Sequence, residues 1–343
     1  MEREYYHSID SLKLIAVVCF CIFAFGYFEY FGSVIKYTLT FALPLLYMIF
    51  GFLLLGENEE RTDIILRSLF RNLAVLGIAF IFLGIASFIY MKITGITIVI
   101  TLDSFINQFV FGKWQLPVGS FVWFTEELVV SIFIFWILSK TNILSKKWFQ
   151  FSLLGVTLLI NLVFGEFSST LSLGTLPNFF LNHAIPFMLI GKMIRDHEEQ
   201  IFDLGPLTAA VTFVIGLIIT GSELLIFKTF NVFSFTSNYI GSIVCAIALM
   251  MIAIQLRSLG EESGFAYWSG KSATWMFLVS QPIGVIVTST ITSTDKVVNY
   301  LKGFVIIIAS FFFGLLMAVI FHFISPKEPV AQEDEESDEL YYE

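Results

Sequence analysis

A few residues of this 343-residue chain combine a type and a setting that could do chemistry. Glu126 and Glu127 stand side by side in Val122-Trp123-Phe124-Thr125-Glu126-Glu127-Leu128, at the head of an apolar run. A carboxylate there is costly and usually faces a polar or water-filled interior, where it can serve as an acid, a base or the partner that orients one. Neighbouring helical positions diverge by about 100°, so the two cannot point equally well into one site. His183, in Leu181-Asn182-His183-Ala184-Ile185-Pro186, is the one histidine of four whose setting suits a bundle interior. A neutral imidazole in that place can take a proton from a hydroxyl. Arg67 and Arg71 lie four apart, hence on one helical face with Asp63, and two guanidiniums so arranged can clamp phosphate bidentately. Each also has a plainer reading: a glutamate in interfacial water, a histidine hydrogen-bonded to a neighbouring helix, arginines that only mark the inner side of a membrane.

Such residues need a scaffold, and the composition specifies its kind. With 57% hydrophobic and 14% charged residues and a mean hydropathy of +0.84, the chain has too little polar surface for a water-soluble protein of this length. Apolar runs able to cross about 30 Å of hydrocarbon fall near Leu12–Tyr30, Val34–Leu55, Asn72–Tyr90, Gly119–Leu138, Trp148–Phe164, Phe179–Ile194, Leu207–Thr220, Tyr239–Leu256, Thr274–Thr290 and Phe304–Phe323. The expected fold is an all-α polytopic bundle of about ten transmembrane helices. The fifth, sixth and seventh runs are short enough that one could be re-entrant. The first run lacks a small-residue cleavage site and is read as a retained helix.

Basic residues give the orientation. An N-terminus in the cytoplasm puts 13 Lys and Arg on the inner side and 6 outside, which predicts that both termini are cytoplasmic. The inner segment Glu57 to Arg71 reads as an amphipathic helix, and the outer segment Met91 to Val118 as an apolar loop able to lie in the interface. Glu29, Glu166 and Glu223, at outer ends, read as solvated. From Pro326 to Glu343 the chain turns acidic and carries −7 of the formal charge of −9, which describes a disordered tail and gives no reason to expect a nucleic-acid partner. Cys19, Cys21 and Cys245 lie in apolar runs as small hydrophobes, and no metal-ligand spacing is present.

The stretch Ser8-Ile9-Asp10-Ser11-Leu12-Lys13-Leu14-Ile15-Ala16, at the doorstep of the first helix, resembles the opening of the integral-membrane acyltransferase-3 family, which includes O-acetyltransferases of cell-surface glycans. That family's pattern is Asp, two residues and Arg, then, after ten intervening residues, a His. Here Lys13 holds the Arg place and Ala24 the His place. Trp123-x-x-Glu126-Glu127 resembles the family's Trp and Glu-Glu segment, with a spacing about two residues shorter. Arg67-x-x-x-Arg71 stands where members carry Arg-x-x-Arg, and Gln281-Pro282 where they often carry His-Pro.

The resemblance implies an acyltransferase-3-like domain over residues 1–325 with the tail at 326–343, in a cell membrane, the bacterial plasma membrane by family habit. It also implies transfer of an acyl group, acetyl by analogy, from cytoplasmic acyl-CoA to an extracytoplasmic saccharide, with no metal. On that reading Glu126, Glu127 and His183 are the candidate catalytic residues. Lys13, Arg67 and Arg71 would hold the donor, and Asp10, Trp123 and Gln281 the acceptor. Its partners would be membrane lipid, a surface glycan or lipid-linked saccharide, and polysaccharide-synthesis machinery. The missing first-helix His leaves a second possibility open: a relative without catalysis that exports or assembles an exopolysaccharide.

Overall fold

The computed structural model describes residues 7–25, 38–55, 61–95, 122–161, 183–229, 239–257, 264–291 and 295–324. Among them every regular element is a helix: α1 (His7–Phe25), α2 (Ala42–Leu54), α3 (Arg61–Thr94), α4 (Val122–Lys140), α5 (Lys147–Asn161), α6 (Ala184–Asp196), α7 (Glu198–Asp203), α8 (Pro206–Thr229), α9 (Ile240–Gln255), α10 (Gly264–Thr290) and α11 (Lys296–Ile324). All but the short α7 answer to an apolar run of the sequence. Helices α1, α3, α8, α10 and α11 are long and apolar enough to cross a membrane, and α2 and α9 are shorter apolar helices. The protein is an all-α, multi-pass membrane bundle.

Local chemistry sets the helix ends. Pro44 and Pro186 each sit in a first turn, where backbone N–H groups have no helical acceptor and a proline therefore removes nothing. Helix α3 stops at Gly95, with φ +72°, and Gly205, with φ +76°, separates α7 from Pro206 at the head of α8. Left-handed backbone of this kind carries no Cβ penalty in glycine. The Glu223 carboxylate of α8 accepts the N–H groups of Ile240 (3.0 Å) and Gly241 (3.1 Å). It thus caps the start of α9, the end of the helix dipole that favours negative charge, and is tethered rather than solvated.

Apart from the short α7, helices that follow one another in the chain run in alternating directions. Thr62 and Ser139 join the start of α3 to the end of α4 at 3.3 Å. Ser8 donates to the Ala253 carbonyl at 2.7 Å, joining the start of α1 to the end of α9. Tyr267 meets His322 across α10 and α11, and Asp10 packs against Gly270 so closely that a Cβ there would strike the carboxylate. Residues 7 and 324 consequently lie at the same end of the bundle, together with Arg67, Lys140 and Arg195 (the basic end, below).

The inner loop expected over Glu57–Arg71 is not a separate helix. From Arg61 onward it is the first three turns of α3, a single 34-residue rod. The polar residues that broke the hydropathy pattern did not break the helix, because Asp63, Arg67 and Arg71 all fall on its exposed face. The outer loop beyond residue 95, the acidic tail, Glu29 and Glu166 lie outside the described residues.

The centre of the bundle is the crossing of α2 and α6, which run side by side and meet backbone to backbone at Gly51 and Gly191. A Cβ on Gly51 would collide with the Met188 carbonyl, and one on Gly191 with the Met48 carbonyl. Small residues of this kind are what lets membrane helices approach closely. The contact seals Tyr47, Met48, Phe52, Phe187 and Met188 from solvent.

Candidate functional site

The closely packed α2 and α6 face α4 through polar side chains. Glu127, two turns into α4 and 4% exposed, accepts a 2.6 Å hydrogen bond at Oε2 from the hydroxyl of Tyr47 on α2. Its Oε1 lies 3.5 Å from Nδ1 of His183, the residue that begins α6. Among the described residues neither of those two atoms has a hydrogen-bond partner. At this separation a small rotation of the imidazole closes the bond. The Trp123 ring stands 6.2 Å from the His183 ring and 6.4 Å from that of Phe124. Ser131, one turn beyond Glu127 on the same face, is fully buried, and its hydroxyl has no partner among the described residues.

This arrangement has a definite chemical capacity. A carboxylate facing Nδ1 holds that nitrogen as the donor, so Nε2 carries the lone pair and can accept a proton from a hydroxyl. The proton, once taken, is stabilised by the same carboxylate. Tyr47 locks the carboxylate in turn, as an orienting partner one step further out. The cluster lies near the end of the bundle opposite the basic one.

Glu126 is half-buried and diverges by about 100° from the direction of Glu127. Of the two adjacent acids, the geometry joins Glu127 to His183. Tyr47 has no place among the candidates read from the sequence. It is the one hydroxyl in α2, and a buried Tyr hydroxyl regularly finds a polar partner. That was the available signal, obscured because tyrosines near run ends also suit interfacial belts.

A second polar group lies on the other side of Phe124. Lys13 lines a cavity of about 20 Å³ together with Asn72 of α3, Thr125 of α4 and Thr274 of α10, room for about one water. Its ammonium stands 5.3 Å from the Phe50 ring and under the electrostatic influence of Asp10 and Arg71. Lys13 is therefore inside the bundle and not at its doorstep. The ring of Phe124 separates the two groups, 6.4 Å from Phe50, 4.6 Å from Tyr47 and 4.7 Å from Phe277.

The remaining candidates are dispersed. Arg67 and Arg71 lie exposed on one face of α3. Asp10 is half-buried against Gly270, and Gln281 is half-buried on α10 beside Pro282. Ala24, in the place of the family's first-helix His, is on the exposed face of α1, so a histidine in this register would not enter the core. Among the described residues no group of three or more His, Cys, Asp or Glu could hold a metal ion.

No curated protein and no solved structure matches the chain. The family comparison does: the model described as an acyltransferase domain, that of the acyltransferase-3 family, matches residues 6–323. A match over nearly the whole chain identifies the protein as a multi-pass membrane member of the acyltransferase-3 family.

Proposed function

We propose that this protein transfers an acyl group, acetyl in the simplest case, from acyl-CoA at the basic, cytoplasmic end to a hydroxyl of an extracytoplasmic saccharide. The observation that carries this reading is the pairing of buried Glu127 with half-buried His183, steadied by Tyr47. Nε2 of His183 takes the proton of the acceptor hydroxyl as its oxygen attacks the thioester carbonyl. The carbon–sulfur bond breaks, the thiolate of CoA leaves, and the imidazolium returns a proton to it. Base catalysis of this kind contributes about 10² to 10⁴-fold.

Arg67 and Arg71 suit the donor's phosphates by charge and spacing. Lys13 stands between them and the pair, where an ammonium can balance negative charge that develops on the carbonyl oxygen. With the neighbouring cavity only about 20 Å³ in volume, the donor's arm reaches the pair only once Phe50 or Phe124 has swung aside. Trp123, against His183, offers an aromatic face to a sugar ring, and Asp10 and Gln281 remain candidates for acceptor contacts.

The test is mass spectrometry of the surface glycan from matched cells with and without the gene and with His183→Ala. Loss of an ester-linked acyl mass from a polymer present in normal amount, in both the deletion and the variant, supports transfer. Loss of the polymer with its acylation unchanged supports export or assembly, the reading favoured by Lys13, Ala24 and Gln281 in place of the family's Arg, His and His.

A further inference from the structure

Between α3, α10 and α11 lies a cavity of about 220 Å³ unrelated to the proton chemistry of Glu127 and His183. Its walls include Ala79 and Ala86 of α3, Trp275, Leu278 and Pro282 of α10 and Met317 of α11. Among the described residues no titratable side chain lines it, and a cavity of this size with an apolar lining stays dry. All three helices are long and apolar enough to cross a membrane, which puts the cavity at the depth of the hydrocarbon. Its rim residues Ile85 (55% exposed) and Ile286 (39%) are open at that depth.

The space has a structural origin. The small side chains of Ala79 and Ala86 leave a hollow on α3, and Pro282 has no N–H to give the Leu278 carbonyl, which weakens α10 at the same level. The cavity occupies the stretches 79–89 of α3 and 275–286 of α10, the halves of those helices further from the basic end. Leu278 also lines the cavity of Lys13, so one side chain forms the wall between the two spaces.

We propose that this cavity seats one acyl chain of a bilayer phospholipid from the leaflet at the Glu127 end. A hydrocarbon chain fits the lining, and no charged group among the described wall residues would select a particular headgroup, which favours the bulk lipid over a specialised saccharide carrier. The seated chain takes the place of missing side-chain packing next to Pro282 and backs Leu278 against the Lys13 cavity. This assignment does not depend on the reaction the protein performs.

Trp275 provides the probe, because it lines the cavity yet is only 7% exposed. The full chain is reconstituted in vesicles of phosphatidylcholine brominated at mid-chain or unbrominated, and the emission of Trp275 is isolated by difference from Trp275→Phe. The expected result is strong quenching of Trp275 by brominated lipid and its relief in Ala86→Phe, which fills the cavity. Unquenched Trp275, or equal quenching in Ala86→Phe, overturns the proposal. Relief of quenching by a small mole fraction of unbrominated polyprenyl phosphate also overturns it, assigning the cavity to a carrier lipid.

Discussion

Two sides of this bundle are built in opposite ways. Around α2, α4 and α6 the packing is close: α2 and α6 touch through glycine, and Tyr47, Met48 and Phe187 are wholly buried. Along α3, facing α10 and α11, Ile81, Ile85 and Phe88 are exposed, Gly77 and Gly84 have nothing within 4 Å of a Cβ position, and an apolar cavity remains. The polar cluster belongs to the tight side. A carboxylate and an imidazole inside a membrane need partners held at fixed distance, since an unpaired polar group in hydrocarbon costs several kcal/mol, whereas apolar walls against lipid lose little by being loose.

The largest expected effect tests the tight side itself. Gly191→Leu drives a side chain into the Met48 carbonyl, and because the obstacle is backbone, neither helix can yield. The expected outcome is loss of folded protein by size-exclusion chromatography, and normal yield would show that the crossing is less rigid than described. His183→Ala comes next. It is expected to lower acyl transfer by about 10² to 10⁴-fold with the thermal unfolding midpoint preserved, and Glu127→Gln, which keeps a hydrogen-bond acceptor but removes the charge, is expected to lower it less.

Tyr47→Phe has a smaller effect. Removing the hydroxyl leaves a buried carboxylate oxygen without its donor, a loss of about 1–3 kcal/mol, measured as a lower unfolding midpoint and accompanied by slower transfer. If stability falls and transfer does not, Tyr47 supports the fold and not the orientation of Glu127. The smallest change is on the open side. Gly84→Ala meets no atom and replaces the poorer helix former, so stability is expected to rise by up to about 1 kcal/mol; a loss there would mean that the face is covered.

The bundle was legible in the sequence to a useful depth, for a physical reason. Hydrocarbon leaves backbone groups no partner except each other, so each apolar run had to be a helix. The extent of α3 was not legible, since Asp63, Arg67 and Arg71 read as the end of hydrophobicity and a helix exposed on one side tolerates them. Scarcity in apolar runs marked Glu126, Glu127 and His183 as candidates, and the resemblance of the Trp123-Glu126-Glu127 segment to the family's added to it for the two acids. What separated Glu127 from Glu126 was the rotation of α4 against α2 and α6, a property of packing that no spacing in the chain encodes. Tyr47 escaped for the converse reason: its hydroxyl needs a partner, but the partner lies 80 positions away.

The continuity of α3 carries a mechanical consequence. At 1.5 Å per residue its 34 residues span about 51 Å, well beyond the hydrocarbon thickness of about 30 Å. The rod therefore stands out of the bilayer like a mast, with Arg67 on its shaft and the lipid-facing cavity wall further along the same axis. Torque applied to the mast at Arg67 is carried along one unbroken helix toward the cavity wall, so the basic end and the far leaflet share one torsional coordinate.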